Sequence, residues 1–547
     1  MRTGARPRIA RIGRYALTSL LSRSPLLAAA GAIVFAAACF GLASFSTVQA
    51  MPLCWIALVP FLLLLERVQT LRGALLAGWA MSVAFVLAIF EWFATAISTY
   101  SGSHPAVSML LLLAAAPVLQ PQFLTFSAAR WWMHASGAPP VATMIVGACA
   151  YVGTEYAFPK LLGDTLGLGF YPSRALRQLA DIGGPGILTF VVVILNELAR
   201  AAAVPETWRT QRRRALVAAI AAVAILAGMT GYGRVRLARI AAAEAGREPV
   251  TAALVQANIA NYERLRAQVG SYEAVRAILN THFGLSYAGL KNADVDLVVW
   301  PETAYPTTFG APKSEAGKEF DTELRVFATS MKRAFVFGSY DLEGEREYNA
   351  AIFVDAADVG STRSYRKTYL FPLTERVPWW LEWRWVREQV PWLGTWEGGA
   401  GPKVVPLKLP DGRQIQVTPM ICFDAIEPKV AAHGARSGAE LLLTISNDGW
   451  FEGGRGAWLH LLVASFRSIE THLPQLRGTN TGVTAAIDAT GELLAVAEVN
   501  RPQTLVATVT PVVPVPTLAA AWGQWFGLAS LLAGAAVAVT SRVRSPR

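Results

Sequence analysis

Eight stretches of this chain are apolar for long enough to read as membrane spans: 26–46, 50–65, 74–96, 106–125, 139–158, 185–204, 214–232 and 516–540. A helix needs about 20 such residues to cross the hydrocarbon core. The first follows basic residues and precedes Val48-Gln49-Ala50, which looks like a cleavage site. Its apolar run exceeds the roughly 7–15 residues of a secretory leader, and further spans follow, so it reads as a span. Between 251 and 514 the pattern changes. Short β-rich runs end in turn residues: 251–258, 295–300, 334–340, 349–355, 415–423, 440–446, 482–488 and 504–510. Helical patterns lie among them at 263–291, 314–332 and 456–473. Several strands are apolar throughout, as expected of a sheet covered on both faces. Residues 487–496 read as a hairpin turning at Ala489-Thr490-Gly491, and the prolines around 511–516 as the linker back to the membrane.

Three domains are expected from this pattern. Residues 1–249 would form a membrane domain of seven transmembrane helices. Residues 250–514 would form an α/β domain, and 515–547 a last span with a basic tail. Charge gives the orientation. With the N-terminus inside, the inside segments and their flanks carry 17 Lys and Arg and the short outside segments 7, the bias of cytoplasmic loops. Seven spans then place the α/β domain outside the cytoplasm and return the C-terminus to it.

Composition narrows the class. Hydrophobic residues make up 53% of the 547 and charged residues 16%, against about 25% charged in a soluble domain. The net charge is +11. Residues 251–514 nevertheless carry a balance of −4, so the rest of the chain carries +15. A nucleic-acid groove needs basic residues on a folded face, and no nucleic-acid partner is expected. The four cysteines form no CxxC pattern and the six histidines no HExxH pattern, so no metal is expected. The glycine-rich pieces at 163–169 and 183–186 lack a P-loop lysine, so neither a nucleotide nor another cofactor is expected.

Three polar residues stand at the ends of apolar strands. Glu302 follows VDLVVWP, Lys367 follows STRSYR and Cys422 follows VTPMI. A cysteine accepts acyl groups as its thiolate. A carboxylate can take its proton, and an ammonium can stabilise the thiolate and a later oxyanion. These three types suffice for acyl transfer. Each also has an ordinary reading: packing for Cys422, a turn cap for Glu302 and a surface strand charge for Lys367. Spacing alone does not show that they meet.

The motifs around them are VVWPETAYP (298–306), YRKTYLFPLTE (365–375), MICFDAIEP (420–428) and LLLTISNDGWF (441–451). With them, residues 252–510 resemble the nitrilase superfamily, whose members carry a Glu-Lys-Cys triad on an α-β-β-α sandwich. Together with about eight transmembrane helices, the whole chain is similar to bacterial apolipoprotein N-acyltransferases. RGTNTGVTAAIDATG (477–491) and AIFEWFATAI (88–97) add to the likeness. The resemblance implies Glu302 as general base, Lys367 on the oxyanion and Cys422 as the thioester-forming nucleophile. It implies the Phe423 amide as second oxyanion donor and Glu375 as the group orienting Lys367. Asn447 and Trp450 would line the site. The partners implied are a phospholipid acyl donor and a diacylglyceryl apolipoprotein acceptor, at the periplasmic side of the inner membrane with both termini cytoplasmic.

Some positions depart from the family pattern. Phe423-Asp424 stands where Tyr-Glu is usual, Thr374 replaces a glycine, and Leu265 with Tyr262 nearby occupies the place of an aromatic. Six tryptophans cluster at Trp379, Trp380, Trp383, Trp385, Trp392 and Trp396. Tryptophan favours membrane–water interfaces, and this segment reads as an arm beside the site, with Trp379 touching substrate. Two other readings use the same residues: a membrane-tethered carbon–nitrogen hydrolase with water as second nucleophile, and a non-catalytic paralogue that binds lipoproteins.

Overall fold

The computed structural model describes residues 25–44, 50–158, 160–203, 212–259, 262–356, 358–377, 382–389, 394–449, 451 and 454–543. Up to residue 244 the described elements are all helical. Three of these helices, Leu71–Ile89, Pro185–Ala202 and Arg212–Glu244, are long and apolar enough to cross a membrane. Pro105–Leu119 and Gln122–Ala135 make a fourth if the pair, bent by 45°, counts as one. The expectation of about eight spans is corrected to this number among the described residues.

Several of the departures have a local cause. The stretch 50–65 divides into a 3-10 turn, Met51–Trp55, and a nine-residue helix, Val59–Arg67. The stretch 74–96 stops at Ile89, and a new helix starts at Phe93. At 106–125, Pro121 bars Gln120 from helical geometry, and Gln120 sits at φ −130°, ψ 56°. The segment after it, Gln122–Ala135, is helix because Phe123, Phe126, Arg130 and Met133 bury one face. Arg130 is neutralised there by Glu197. At 516–540, Gly523 takes φ +62° and splits the run into Leu518–Trp522 and Trp525–Val543. Arg212–Glu244 has 33 residues and is about 50 Å long, well past the expected 214–232. Its Ile240 reaches the core of the following domain.

That domain holds two six-stranded sheets. One has the order β12-β1-β2-β3-β4-β5 and the other β11-β10-β9-β8-β7-β6. The strands are β1 Val250–Gln256, β2 Leu297–Val299, β3 Ala334–Glu343, β4 Arg346–Val354, β5 Thr362–Arg366 and β6 Val405–Lys408. They continue as β7 Gln414–Ile421, β8 Leu441–Ser446, β9 Gln475–Thr479, β10 Ala485–Ile487, β11 Leu493–Val496 and β12 Gln503–Val509. Side chains alternate between faces. Ala252 and Leu254 of β1, and Leu441 and Leu443 of β8, join one core between the sheets. Ala253 and Val255 point outward to a second core with helices Ser271–Asn292 and Glu315–Met331. Leu442 points outward on the other side, toward helices Pro428–Arg436 and Arg455–Thr471. The layering is therefore α-β-β-α.

The expected strands and the hairpin at 487–496 are present. β5, β6, β9 and the helix Pro428–Arg436 were not expected, and the helix expected over 263–291 is interrupted at Gly270, φ +86°. A further large core joins the domain to the helical part. It runs from Phe85, Phe90 and Leu162 to Phe371, Phe423, Phe451 and Leu461. At its rim Arg177 donates to the Thr490 and Tyr171 carbonyls at 3.1 and 2.9 Å and to Glu492 at 2.7 Å. Arg177 is almost fully buried. Arg177→Ala should therefore loosen this docking at a cost of about 2 kcal/mol, the scale of buried acceptors left short of a donor. Thermal unfolding in detergent and faster proteolysis of the 488–492 turn would show it.

Candidate active site

Glu302, Lys367 and Cys422 all stand just beyond strands. Glu302 comes three residues after β2, Lys367 directly after β5 and Cys422 directly after β7. β2 and β5 belong to one sheet and β7 to the other, so the two sheets converge on the site from opposite sides. Glu302 lies against Gly338 of β3. A Cβ there would meet the Pro301 carbonyl at 2.5 Å and Glu302 Cα at 2.6 Å, so only glycine lets the turn sit this close.

Glu302 and Lys367 are in contact. Lys367 Nζ donates to Glu302 Oε1 at 3.1 Å and to Glu375 Oε1 at 2.7 Å. Glu375 also accepts from the Phe371 amide at 2.6 Å, which fixes it across the lysine loop. Glu302 accepts further from Asn349 Nδ2 at 2.6 Å and from the Asn447 amide at 2.8 Å. Its four oxygen lone-pair sites are thus largely filled, and both carboxylate oxygens are oriented.

Cys422 takes φ +48°, a region that costs a side-chain-bearing residue about 1–3 kcal/mol. It opens a 3-10 turn, Cys422–Ala425, which turns the sulfur off the strand axis. Burial and the charge of Glu302 push its thiol well above the ordinary range, against the pull of Lys367. Burial opposes the Lys367 ammonium, yet attraction to Cys422 once ionised, and to Glu302 and Glu375, holds it well above its usual pKa. Burial raises Glu302, and Lys367 moderates the rise. The resting site is a neutral thiol beside an ammonium held between two carboxylates. A thiolate could form there only as its proton moves to a neighbouring base.

Asp424 ties the elbow to the lysine loop. It accepts from the Thr368 and Tyr369 amides at 3.2 and 2.8 Å, the Tyr365 hydroxyl at 2.8 Å and the Ile421 amide at 3.1 Å. Its role is thus to join two loops, and its short side chain suffices for that. Phe423 packs edge-on against Phe371 at 5.3 Å and joins the core shared with the helical part. Thr374, in the place of the family's glycine, does not take a positive φ. The left-handed residue is its neighbour Leu373, φ +72°. Tyr262 packs at the edge of the Trp300 core.

Asn447 donates through its amide to Glu302, and its side chain meets Asn480 Nδ2 at 3.2 Å. Trp379, Trp380, Trp392 and Trp450 lie outside the described residues. Of the remaining tryptophans in the cluster, Trp383 and Trp385 are exposed and Trp396 lies edge-on to Tyr340 at 4.8 Å.

The sequence reading missed Asn349, Asp448, His460 and Arg477. Asp448 accepts from Ser446 at 2.7 Å and Arg477 at 2.8 Å and lies 2.9 Å from His460 Nδ1. Although burial opposes it, His460 and Arg477 hold its carboxyl at about 2. Asp448 adjoins Asn447 in the SND motif, and Arg477 opens the RGTN motif, so both had a signal.

Comparison with known proteins gives two family matches. Residues 251–513 match the family described as carbon-nitrogen hydrolase. Residues 36–198 match the one described as apolipoprotein N-acyltransferase N-terminal domain. Among relatives, a protein of Bdellovibrio bacteriovorus named apolipoprotein N-acyltransferase is 26% identical, over 86% of each chain. One of that name from Geobacter metallireducens is 27% identical, over 82% of this chain and 83% of its own. A third, from Azotobacter vinelandii, is 29% identical, over 85% and 86%. A Helicobacter pylori carbon-nitrogen hydrolase structure covers 48% of the chain at 18% identity, with a TM-score of 0.35.

Asp424 yields a pH prediction. Burial lifts its carboxyl from 3.8 to about 6. The folded state therefore favours the protonated acid. That contribution is full below the ordinary value and is lost as pH rises through about 6. Asp424→Asn cannot ionise. The variant's melting temperature, relative to the wild type, should climb between pH 4 and pH 6 and level off above. A flat difference would contradict the burial argument.

Proposed function

We propose that this chain, which belongs to the apolipoprotein N-acyltransferases, moves an acyl chain from a phospholipid to the α-amine of the N-terminal diacylglyceryl-cysteine of a lipoprotein. Glu302 takes the Cys422 proton and the thiolate attacks the ester carbonyl. The oxyanion rests on Lys367 Nζ and the Phe423 amide. Glu302 returns the proton to the departing lysophospholipid, leaving a thioester on Cys422. The amine then attacks, Glu302 accepts its proton, and the thiol is released with the amide product. This is a ping-pong scheme. Glu375 orients Lys367, and Asp424 keeps the lysine loop beside the elbow.

One observation carries the reading. The Glu302–Lys367 pair and the Cys422 elbow sit at converging strand ends, directly over the apolar core continuous with the helical part. Both substrates are lipids, and a site that opens onto that core suits them. Excluding water there would protect the thioester until the amine arrives. Asn447 lines the site, with Trp379 and Trp450 as further substrate contacts. The exposed Trp383 and Trp385 support an arm that dips into the outer leaflet.

In this reading residues 1–249 form the N-terminal membrane domain, 250–514 the catalytic domain and 515–547 the C-terminal anchor. The arginine distribution supports a catalytic domain on the periplasmic side of the inner membrane, with both termini cytoplasmic. Protease added to intact spheroplasts should then cut within 250–514, and protection of that region would reverse the orientation.

Mass spectrometry of the purified protein should show an acyl adduct on Cys422, and Cys422→Ala should lose both adduct and triacyl lipoprotein. Conversion at the wild-type rate by Cys422→Ala would overturn the assignment. Release of free fatty acid without transfer would instead mark a hydrolase. Asn349→Leu removes a hydrogen bond that lowers the Glu302 pKa. The acidic limb of the pH–rate profile should then move up by about one unit.

A further inference from the structure

The proposed reaction uses Glu302, Lys367, Glu375 and Cys422, and leaves one buried ionisable cluster beside the nucleophile unexplained. His460 is 2% exposed, on helix Arg455–Thr471. Its Nδ1 lies 2.9 Å from Asp448 Oδ1, and its Nε2 lies 3.3 Å from the backbone carbonyl oxygen of Cys422. Asp448 is itself fixed by Arg477 at 2.8 Å and by Ser446 at 2.7 Å. A chain of contacts therefore runs from a buried arginine, through a carboxylate and an imidazole, to the peptide group of the one residue that must hold φ +48°.

We propose that His460 is a positioning residue: with a proton on each ring nitrogen, it donates Nδ1–H to Asp448 and Nε2–H to the Cys422 carbonyl, and so keeps the nucleophile's backbone in its left-handed turn. This inference rests on the reading of Cys422 as the acyl-accepting thiol. The geometry gives His460 no route to the reacting atoms as acid or base, because both ring nitrogens are engaged by Asp448 and the Cys422 carbonyl. A left-handed residue with a side chain persists only where its surroundings over-determine it, and this hydrogen bond supplies one such restraint.

The ring is held from the membrane side as well. Phe451 lies edge-on to His460 at 5.8 Å, and Trp92 lies edge-on to Phe451 at 5.3 Å. Gly456 makes room for this stack: a Cβ there would come within 2.6 Å of the Trp92 ring and 2.7 Å of Phe451. Glu91, next to Trp92, pairs with Arg455 at the start of the helix that carries His460. The FEW segment at 90–92 thus braces the nucleophile from the helical part.

The test uses the full-length protein in detergent micelles with a dipalmitoyl phospholipid, and measures the rate of acyl-adduct formation on Cys422. His460→Ala and the space-filling His460→Leu should slow adduct formation by ~100-fold, the scale of a misplaced reacting group. The phospholipid concentration at half-maximal rate should stay unchanged. His460→Gln keeps an N–H donor and should be at least ~10-fold faster than His460→Leu, the scale of one restored hydrogen bond. Melting temperatures are measured alongside, because a purely structural role would lower stability without this split between rate and half-saturation or the glutamine rescue. Adduct formation at the wild-type rate in a folded alanine or leucine variant overturns the proposal, as does a glutamine variant no faster than leucine. Absence of any adduct on the wild type overturns the acyl-enzyme reading itself, and this inference with it.

Discussion

The site depends on how a buried ammonium is neutralised. Lys367 is 1% exposed and sits among apolar strands. An unpaired charge there would cost several kcal/mol. Two carboxylates, Glu302 and Glu375, surround it, and each is held by a backbone amide besides. Those amides belong to different segments, one after β8 and one in the lysine loop, so the charge requirement draws the two sheets together at this end of the sandwich. Burial and the Glu302 charge then raise the Cys422 thiol above its ordinary range, against the pull of Lys367.

Part of the strained backbone collects in the same place. Asn258, Thr303, Leu373 and Cys422 all have positive φ. Thr303 follows Glu302, and Leu373 lies in the loop between Lys367 and Glu375. Turns of this kind leave the strands abruptly, and they let short side chains point across the gap between the sheets. Their cost is offset by the hydrogen bonding of Asp424 and Asn480, whose side chains bind backbone groups of neighbouring loops, and of Asn447, whose side chain bonds those of Thr303 and Asn480.

Much of this was legible in the sequence. Short β-rich and all-apolar runs located the strands that form the inner core, because burial on both faces leaves a plain signature. The polar residues after those runs marked the strand ends. What escaped notice has physical reasons. β9, Gln475–Thr479, is wholly buried, yet its sequence QLRGT reads as surface. The Arg477 charge is cancelled by Asp448, which lies 29 residues earlier in the chain. β5 is likewise polar, with Arg363 and Arg366 paired to Asp355 and Asp341. The spans were overcounted for the opposite reason. Apolar content set their extent, but Pro121 and Gly523 break the backbone regardless of hydropathy. His460 carried no pattern at all, since its partners come from separate segments.

β1 and β12, the first and last strands of the sandwich, are antiparallel neighbours, with Val250 opposite Val509. The chain enters and leaves the domain at one spot on the sheet. From the standpoint of the helical part, some 260 residues occupy the gap that a single tight turn would fill. A module with its two ends side by side can be accommodated between two anchors without altering the spacing of either. It also presents a natural seam for excision or exchange, at which a short linker would reunite the flanking helices.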